Sequence, residues 1–207
     1  MKKGVLFCFV LTLISLTLAQ PNVGYKGNQS PILTSEGIGL ITNGADLDLG
    51  TVQKTFPNYI VKILPAVVDD GEGGGDGPES GNPSEFQVFD HDELLLEIVT
   101  SYSPETIDEK VSFSQINVLS NKVKNSFGVK LGETFQKIFN GKIPADCKSW
   151  DQLYGPPLGV DCRASDKFKN VSYFFKGQWP EGQSGEKLPS NLLESFRLSS
   201  ITWTRTH

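Results

Sequence analysis

The chain has 207 residues with 19 basic and 24 acidic side chains, so its formal net charge is −5. This balance excludes a protein that binds nucleic acid through a strongly basic surface. Thirteen Phe and three Trp supply enough apolar bulk for the core of one domain.

The first 19 residues have the layout of a secretory signal peptide. Lys2 and Lys3 precede a nearly unbroken apolar run from Gly4 to Leu18, and Ala19 is a suitable cleavage residue. The run is short for a membrane span, which needs about 20 apolar residues. We therefore expect an exported protein that is soluble after cleavage, in the periplasm or outside the cell, with an uncleaved anchor as the alternative.

Residues 20–31 are polar and predict an extended lead-in, and one domain is predicted over residues 32–205. The spacing of apolar and turn residues predicts the first three elements of that domain. They are a short strand or turn over residues 35–42, a short helix over 49–56 and a strand over 59–68.

Residues 69–85, DDGEGGGDGPESGNPSE, combine six carboxylates with six glycines and contain no apolar side chain. The carboxylates lack the fixed offsets of a calcium-binding loop. Ordering so much glycine costs conformational entropy that no apolar burial offsets. The stretch predicts a mobile, solvated loop between two strands, and calcium binding through residues 69–93 is the alternative.

A hairpin with an acidic tip is predicted after this loop, because apolar residues alternate on both sides of the sequence DHDE. Asp90, His91 and Asp92 at this tip are the candidate metal ligands of the chain. A solvated turn without metal is the interpretation that we prefer, since hairpin tips are polar for solvation alone.

The remaining segments predict three more strands and two short helices. The strands cover residues 111–120, 170–179 and 197–205, and the helices cover 131–139 and 188–196, with Ser190 as an N-cap. Strands with three short helices and no regular alternation of the two predict an α+β fold with a mostly antiparallel sheet.

Cys147 and Cys162 are the two cysteines outside the predicted signal peptide, which contains Cys8. Two cysteines in an exported chain usually pair, because the compartment is oxidising. A disulfide between them would close a loop with 14 intervening residues. Closing a loop of this size stabilises the folded protein by about 3 kcal/mol. A reactive or metal-binding thiol pair is the alternative, but no histidine lies nearby to complete a zinc site.

The chain contains none of the common catalytic or nucleotide-binding motifs, and its only histidines are His91 and the last residue, His207. We therefore expect neither enzymatic activity nor a cofactor. Trp150, Tyr154 and Trp179 are the candidates for contact with a partner, because aromatic side chains in rigid loops are common at recognition surfaces. Packing of these aromatics onto the sheet is the alternative.

Several stretches follow one another in an order typical of one family: TSEGIGLIT, TFPNYIVKI, SQINVLSNKVKNSFGVKLGETFQKIF, the Cys147 and Cys162 pair, NVSYFFKGQW and LPSNLLESFRLSSITW. From Ser35 to Trp203 the chain resembles the RpoE-regulated lipoprotein family of bacterial envelopes, which is the domain of unknown function 1131. The resemblance implies a cell-envelope protein with an α+β domain and no established activity.

Two features depart from that family. Its enterobacterial members carry a lipid-anchored cysteine at the cleavage site, and this chain has none there, so we expect no lipid anchor. The acidic stretch over residues 69–85 resembles an insertion. The leading hypothesis is a non-enzymatic envelope domain that binds a protein or glycan, or serves under envelope stress. An enzyme or enzyme inhibitor directed at wall polysaccharide is the alternative, which Trp150, Tyr154 and Trp179 along one groove would favour.

Overall fold

The computed structural model describes residues 30–64, 85–101, 109–150, 158–179 and 190–206. Within these ranges the chain forms twelve strands and three short helices. In chain order they are β1 Ile32–Thr34, β2 Gly37–Ile38, β3 Ile41–Thr42, α1 Leu49–Thr55, β4 Ile60–Leu64, β5 Glu85–Asp90, β6 Glu93–Thr100, β7 Phe113–Val118, β8 Lys124–Asn125, α2 Phe135–Phe139, β9 Lys148–Trp150, β10 Gly159–Ser165, β11 Phe168–Lys176, α3 Ser190–Leu193 and β12 Arg197–Thr204.

Eight of these strands form one large sheet in the order β4-β5-β6-β7-β12-β11-β10-β9. Every neighbouring pair in it is antiparallel. The four short strands form a second sheet in the order β3-β2-β1-β8, in which β1 and β8 are parallel. The prediction of a mostly antiparallel sheet with three short helices is confirmed. The class α+β fits only in part, because the helices have just 7, 5 and 4 residues.

The core lies between one face of the large sheet and the elements that cover it. Alternation along β12 buries Leu198, Ile201 and Trp203 on that face, where one apolar cluster joins residues of both sheets and all three helices. Trp203 stacks on Phe113 at 5.8 Å between ring centroids. Its indole Nε1 donates a hydrogen bond of 2.9 Å to the Ser35 carbonyl, which anchors the small sheet to the large one.

The predicted helix over residues 49–56 is confirmed by α1. Asp48 caps it, since the Thr51 backbone N–H donates to Asp48 Oδ1 at 2.6 Å. That backbone hydrogen bond lowers the pKa of Asp48. The second helix is shorter than predicted: it begins at Phe135 because Thr134 caps it, so Leu131 precedes the helix.

Two segments contain more strand than the sequence indicated. Residues 35–42 form a tight hairpin of β2 and β3, and a Cβ on Gly37 would lie 2.1 Å from the Ile41 carbonyl oxygen. The stretch from Cys147 to Cys162 contains β9 and most of β10 rather than a loop alone. The predicted disulfide between Cys147 and Cys162 is present.

The predicted signal peptide over residues 1–19 lies outside the described residues. So do most of the lead-in over 20–31, residues 69–84 of the acidic stretch, Tyr154 and His207. Among the residues that the structure describes, no helix is long and apolar enough to cross a membrane.

Candidate functional site

On one face of the large sheet, a mostly polar region over strands β6 to β9 lines an open depression of about 350 Å³. Six neighbouring strands each contribute a side chain to it, and we call these six residues the polar sheet face. From β6 to β9 across the sheet they are Glu97, Asn117, Thr202, Ser172, Asp161 and Trp150.

Strand register aligns four of these side chains in one row. Glu97 pairs with Asn117, Asn117 with Thr202, and Thr202 with Ser172. Successive strand residues point to opposite faces, so their neighbours Ile98, Ile116, Ile201, Trp203 and Tyr173 are buried in the core. Pairing and alternation together hold this polar row in place.

Hydrogen bonds connect the row from its middle to its β6 end. Thr202 Oγ1 donates to Asn117 Oδ1 at 3.0 Å, and the Asn117 side chain in turn hydrogen bonds Glu97. Gln87 Nε2 on β5 donates to Glu97 Oε1 at 3.2 Å. These bonds fix the orientation of the amide and carboxyl groups in the row.

Both carboxyl groups of the polar sheet face have raised pKa values. Burial is the main cause of the raised pKa of Glu97, and the charge of Glu85 adds to it. Burial is also the main cause for Asp161, whose pKa is raised further by the charge of Asp146. Each carboxyl therefore keeps a proton to higher pH than an exposed one.

The two carboxyl groups do not form a catalytic pair. Glu97 lies on β6 and Asp161 on β10, so four strand spacings, or about 19 Å of sheet, separate their backbones. Glycosidases need two carboxyl groups within about 10 Å of each other. Glu97 and Asp161 therefore do not have the spacing of a glycosidase pair.

Trp150 forms the aromatic end of the polar sheet face and is 58% exposed. Its ring meets the ring of Phe174 edge-on, with centroids 5.3 Å apart. Trp150 pairs with Gly159, where a Cβ would lie 2.7 Å from the Phe174 ring and 2.3 Å from the Phe175 carbonyl oxygen. Glycine at 159 thus leaves room for Phe174, which supports the exposed indole from below.

The other predicted contact tryptophan lies elsewhere. Trp179 is partly buried against the core and meets the Phe196 ring at 5.4 Å between centroids. Its indole Nε1 is buried without a hydrogen-bond partner in the described part of the chain. Of the three aromatic candidates, the structure brings Trp150 to the depression, leaves Trp179 outside it, and does not describe Tyr154.

The candidate metal ligands lie at the tip between β5 and β6, and none of them lines the depression. Lys122 Nζ lies 2.5 Å from Asp90 Oδ2 and 2.8 Å from Glu93 Oε2, so one ammonium group bridges two carboxylates of this tip. These contacts lower the pKa of Asp90 and Glu93. His91 is exposed and contacts only Asp90 among the described residues, at 2.8 Å. The described ranges hold no group of three potential ligands placed to bind a metal.

Sequence reasoning missed five of the six residues of the polar sheet face. The available signal was the run of polar residues at alternate strand positions, such as Gln115 and Asn117 in β7. Such residues are usually read as a solvated face, and the sequence did not show which strands would be neighbours.

A family model described as "Protein of unknown function (DUF1131)" matches residues 77–205. The chain belongs to the DUF1131 family. This match confirms the family resemblance, while the relation to RpoE-regulated lipoproteins stays a prediction. The whole polar sheet face of this DUF1131 protein falls within the matched residues.

The fold of this DUF1131 protein is similar to that of a solved structure, the uncharacterised protein yfeY from Escherichia coli. The TM-score is 0.60 at 20% sequence identity, and the similarity covers 84% of this chain and 99% of that chain. At this identity the likeness concerns the fold alone. No curated protein matches the chain.

Proposed function

We propose that this DUF1131 protein is an exported, non-enzymatic binding protein of the bacterial cell envelope, and that the polar sheet face holds its ligand. The observation that carries this proposal is the pre-oriented row from Glu97 to Ser172, which ends near an exposed tryptophan. Ligand sites combine apolar or aromatic surface with a few polar groups in fixed positions, and this depression offers both.

Export is supported by the first 19 residues and by the Cys147–Cys162 bond, since disulfides persist in oxidising compartments. The family resemblance supports an envelope location and suggests service under envelope stress. Absence of catalysis is supported by the separation of Glu97 from Asp161. An enzyme directed at wall polysaccharide remains the competing function, because Trp150 is available to a glycan.

A site-specific photo-crosslinker tests the binding function in cells. Placed at Thr204, which lines the rim of the depression, it should form adducts with envelope material in the periplasmic or membrane fraction. The same crosslinker at exposed Lys54, on α1, is the matched control and should form few adducts. Equal adducts at both positions would contradict a ligand site on this face. Cleavage of purified cell-wall glycan by the protein would overturn the non-enzymatic assignment.

A further inference from the structure

The chemistry of the polar sheet face restricts the kind of ligand that fits it. Lys176 is the one basic side chain among the described residues that line the depression, and its Nζ lies 5.8 Å from the Phe174 ring centroid. Lys148 pairs with Asp161 on the same side of the sheet, and its charge acts on that carboxyl. Phosphate, sulfate or acidic peptides favour clusters of Arg donors, and no Arg lines the depression. Anionic ligands are therefore poor candidates.

Cationic and apolar ligands fit no better. The carboxyl groups of Glu97 and Asp161 lie on strands four spacings, or about 19 Å, apart, so they cannot hold one small cation between them. Hydroxyl and amide side chains make up most of the lining, so an apolar ligand would strip water from groups that it cannot pair with.

Hydroxyl and amide groups both donate and accept hydrogen bonds, and so do the hydroxyl groups of a sugar. The face offers such groups from Asn117, Thr202 and Ser172 in one row, and Trp150 adds a flat apolar surface on which a sugar ring can stack. From Trp150 to Glu97 the face crosses five strand spacings, about 24 Å. That length suits a chain of several sugar rings.

We propose that the ligand of the polar sheet face is an uncharged oligosaccharide that lies across the strands. One ring stacks on Trp150, and later rings hydrogen bond the row formed by Ser172, Thr202 and Asn117. An extended peptide is a weaker fit, because peptides usually join a sheet along its edge by backbone hydrogen bonds. This inference rests on the proposed binding function.

The test uses the full-length protein purified after export and three neutral tetrasaccharides as probes: β-1,4-linked N-acetylglucosamine, β-1,4-linked glucose and α-1,4-linked glucose. Calorimetry and tryptophan fluorescence should show binding of at least one probe. Trp150→Ala should weaken that binding about tenfold or more, because it removes the stacking surface. Trp150 is mostly exposed, so this variant should fold; its thermal unfolding checks that it does.

Two more variants make the result specific. Thr202→Val keeps the side-chain shape and removes the central hydroxyl, and it should weaken binding severalfold. Trp179→Phe is the matched control, since Trp179 lies outside the depression, and its affinity should equal that of the wild type.

Failure of all three tetrasaccharides to bind, or binding that Trp150→Ala leaves unchanged, would overturn the sugar assignment. If adducts still formed from Thr204 in cells, the binding function would stand and only the ligand class would be wrong. If an extended peptide competed for the Thr204 adducts and no tetrasaccharide did, the ligand would be a peptide and the sugar assignment would be overturned. If neither tetrasaccharide binding nor Thr204 adducts were observed, the proposed binding function would be overturned as well.

Discussion

Cys147 and Cys162 are bonded across the outermost pair of strands in the large sheet, with their Cα atoms 4.1 Å apart. Lys148 on β9 pairs with Asp161 on β10, so the disulfide occupies the next position of the same ladder. It therefore attaches the edge strand β9, which presents Trp150 at its end, to a strand whose Cys162 is fully buried. The bond supports both the fold and the aromatic end of the polar sheet face.

Removal of this disulfide should lower the free energy of unfolding by about 3 kcal/mol, because the unfolded chain gains the freedom of an open loop. The double variant Cys147→Ala/Cys162→Ala and the reduced wild type should agree in urea denaturation. A reducing agent should not change the midpoint of the double variant. If reduction of the wild type left its denaturation midpoint unchanged, the role of the disulfide in holding β9 would be contradicted.

Gly159→Ala should destabilise the protein by about 1–3 kcal/mol, because its Cβ would overlap the Phe175 carbonyl oxygen and the Phe174 ring. The displaced Phe174 should also shift Trp150, which a change in tryptophan fluorescence would report. Gly50→Ala is the control: it lies within α1, where a Cβ meets only Asp48 Oδ1 at 3.2 Å and alanine favours helix. Equal thermal stability of the two variants would refute the close contact at Gly159.

Glu97→Gln should gain stability relative to the wild type as pH rises from about 4 to about 8. Burial is the main cause of the raised pKa of Glu97 in the folded protein. The protonated side chain therefore makes its full contribution to folding stability below the unfolded-state pKa. That contribution is lost as pH rises through the folded pKa, because ionisation then costs more in the folded state. Glutamine does not ionise, yet it still accepts the hydrogen bond from Gln87. Chemical denaturation across this range measures the difference, and a difference independent of pH would count against the burial of a charge there.

Lys122→Met should reduce stability at neutral pH, with a loss that shrinks toward acid. The Lys122 contacts lower the pKa of Asp90 and Glu93, so their stabilisation is present above the unfolded pKa and is lost as pH falls through the folded pKa. High salt, about 1 M, should also shrink the loss, because the ion pairs are exposed. Lys124→Met, on the neighbouring β8, is the control for a lost surface charge. A deficit that persists in acid or salt would indicate another cause.

Local patterns predicted the elements well where a strand or helix carries its own signal. Alternation in residues 197–205 predicted β12 and its buried Leu198, Ile201 and Trp203, and Leu49, Val52 and Phe56 predicted α1. Strands β9 and β10 were missed because the segment between the two cysteines contains two glycines and two adjacent prolines, which are typical of a loop. β9 pairs with β10 and β10 pairs with β11, so the strand form of both depends on partners that no local pattern records.

The candidate site likewise depends on pairing between strands that are distant in the chain. Asn117 and Thr202 are far apart in the chain, and they meet because β12 inserts between β7 and β11. The acidic tip illustrates the opposite case: its carboxylates were evident, but Lys122, which forms ion pairs with two of them, comes from the turn after β7.

The sequence by itself determined the signal-like composition of the first 19 residues, the two cysteines that can pair, and the apolar side of the strands that it predicted, such as β12. Those properties follow from composition and from the two-residue repeat of a strand, which are local. Only the tertiary structure decided which strands are neighbours, and hence that Glu97, Asn117, Thr202 and Ser172 form one row with Trp150 at the far edge. A strand's repeat states which face each side chain occupies, but the order of strands is set by contacts between distant parts of the chain.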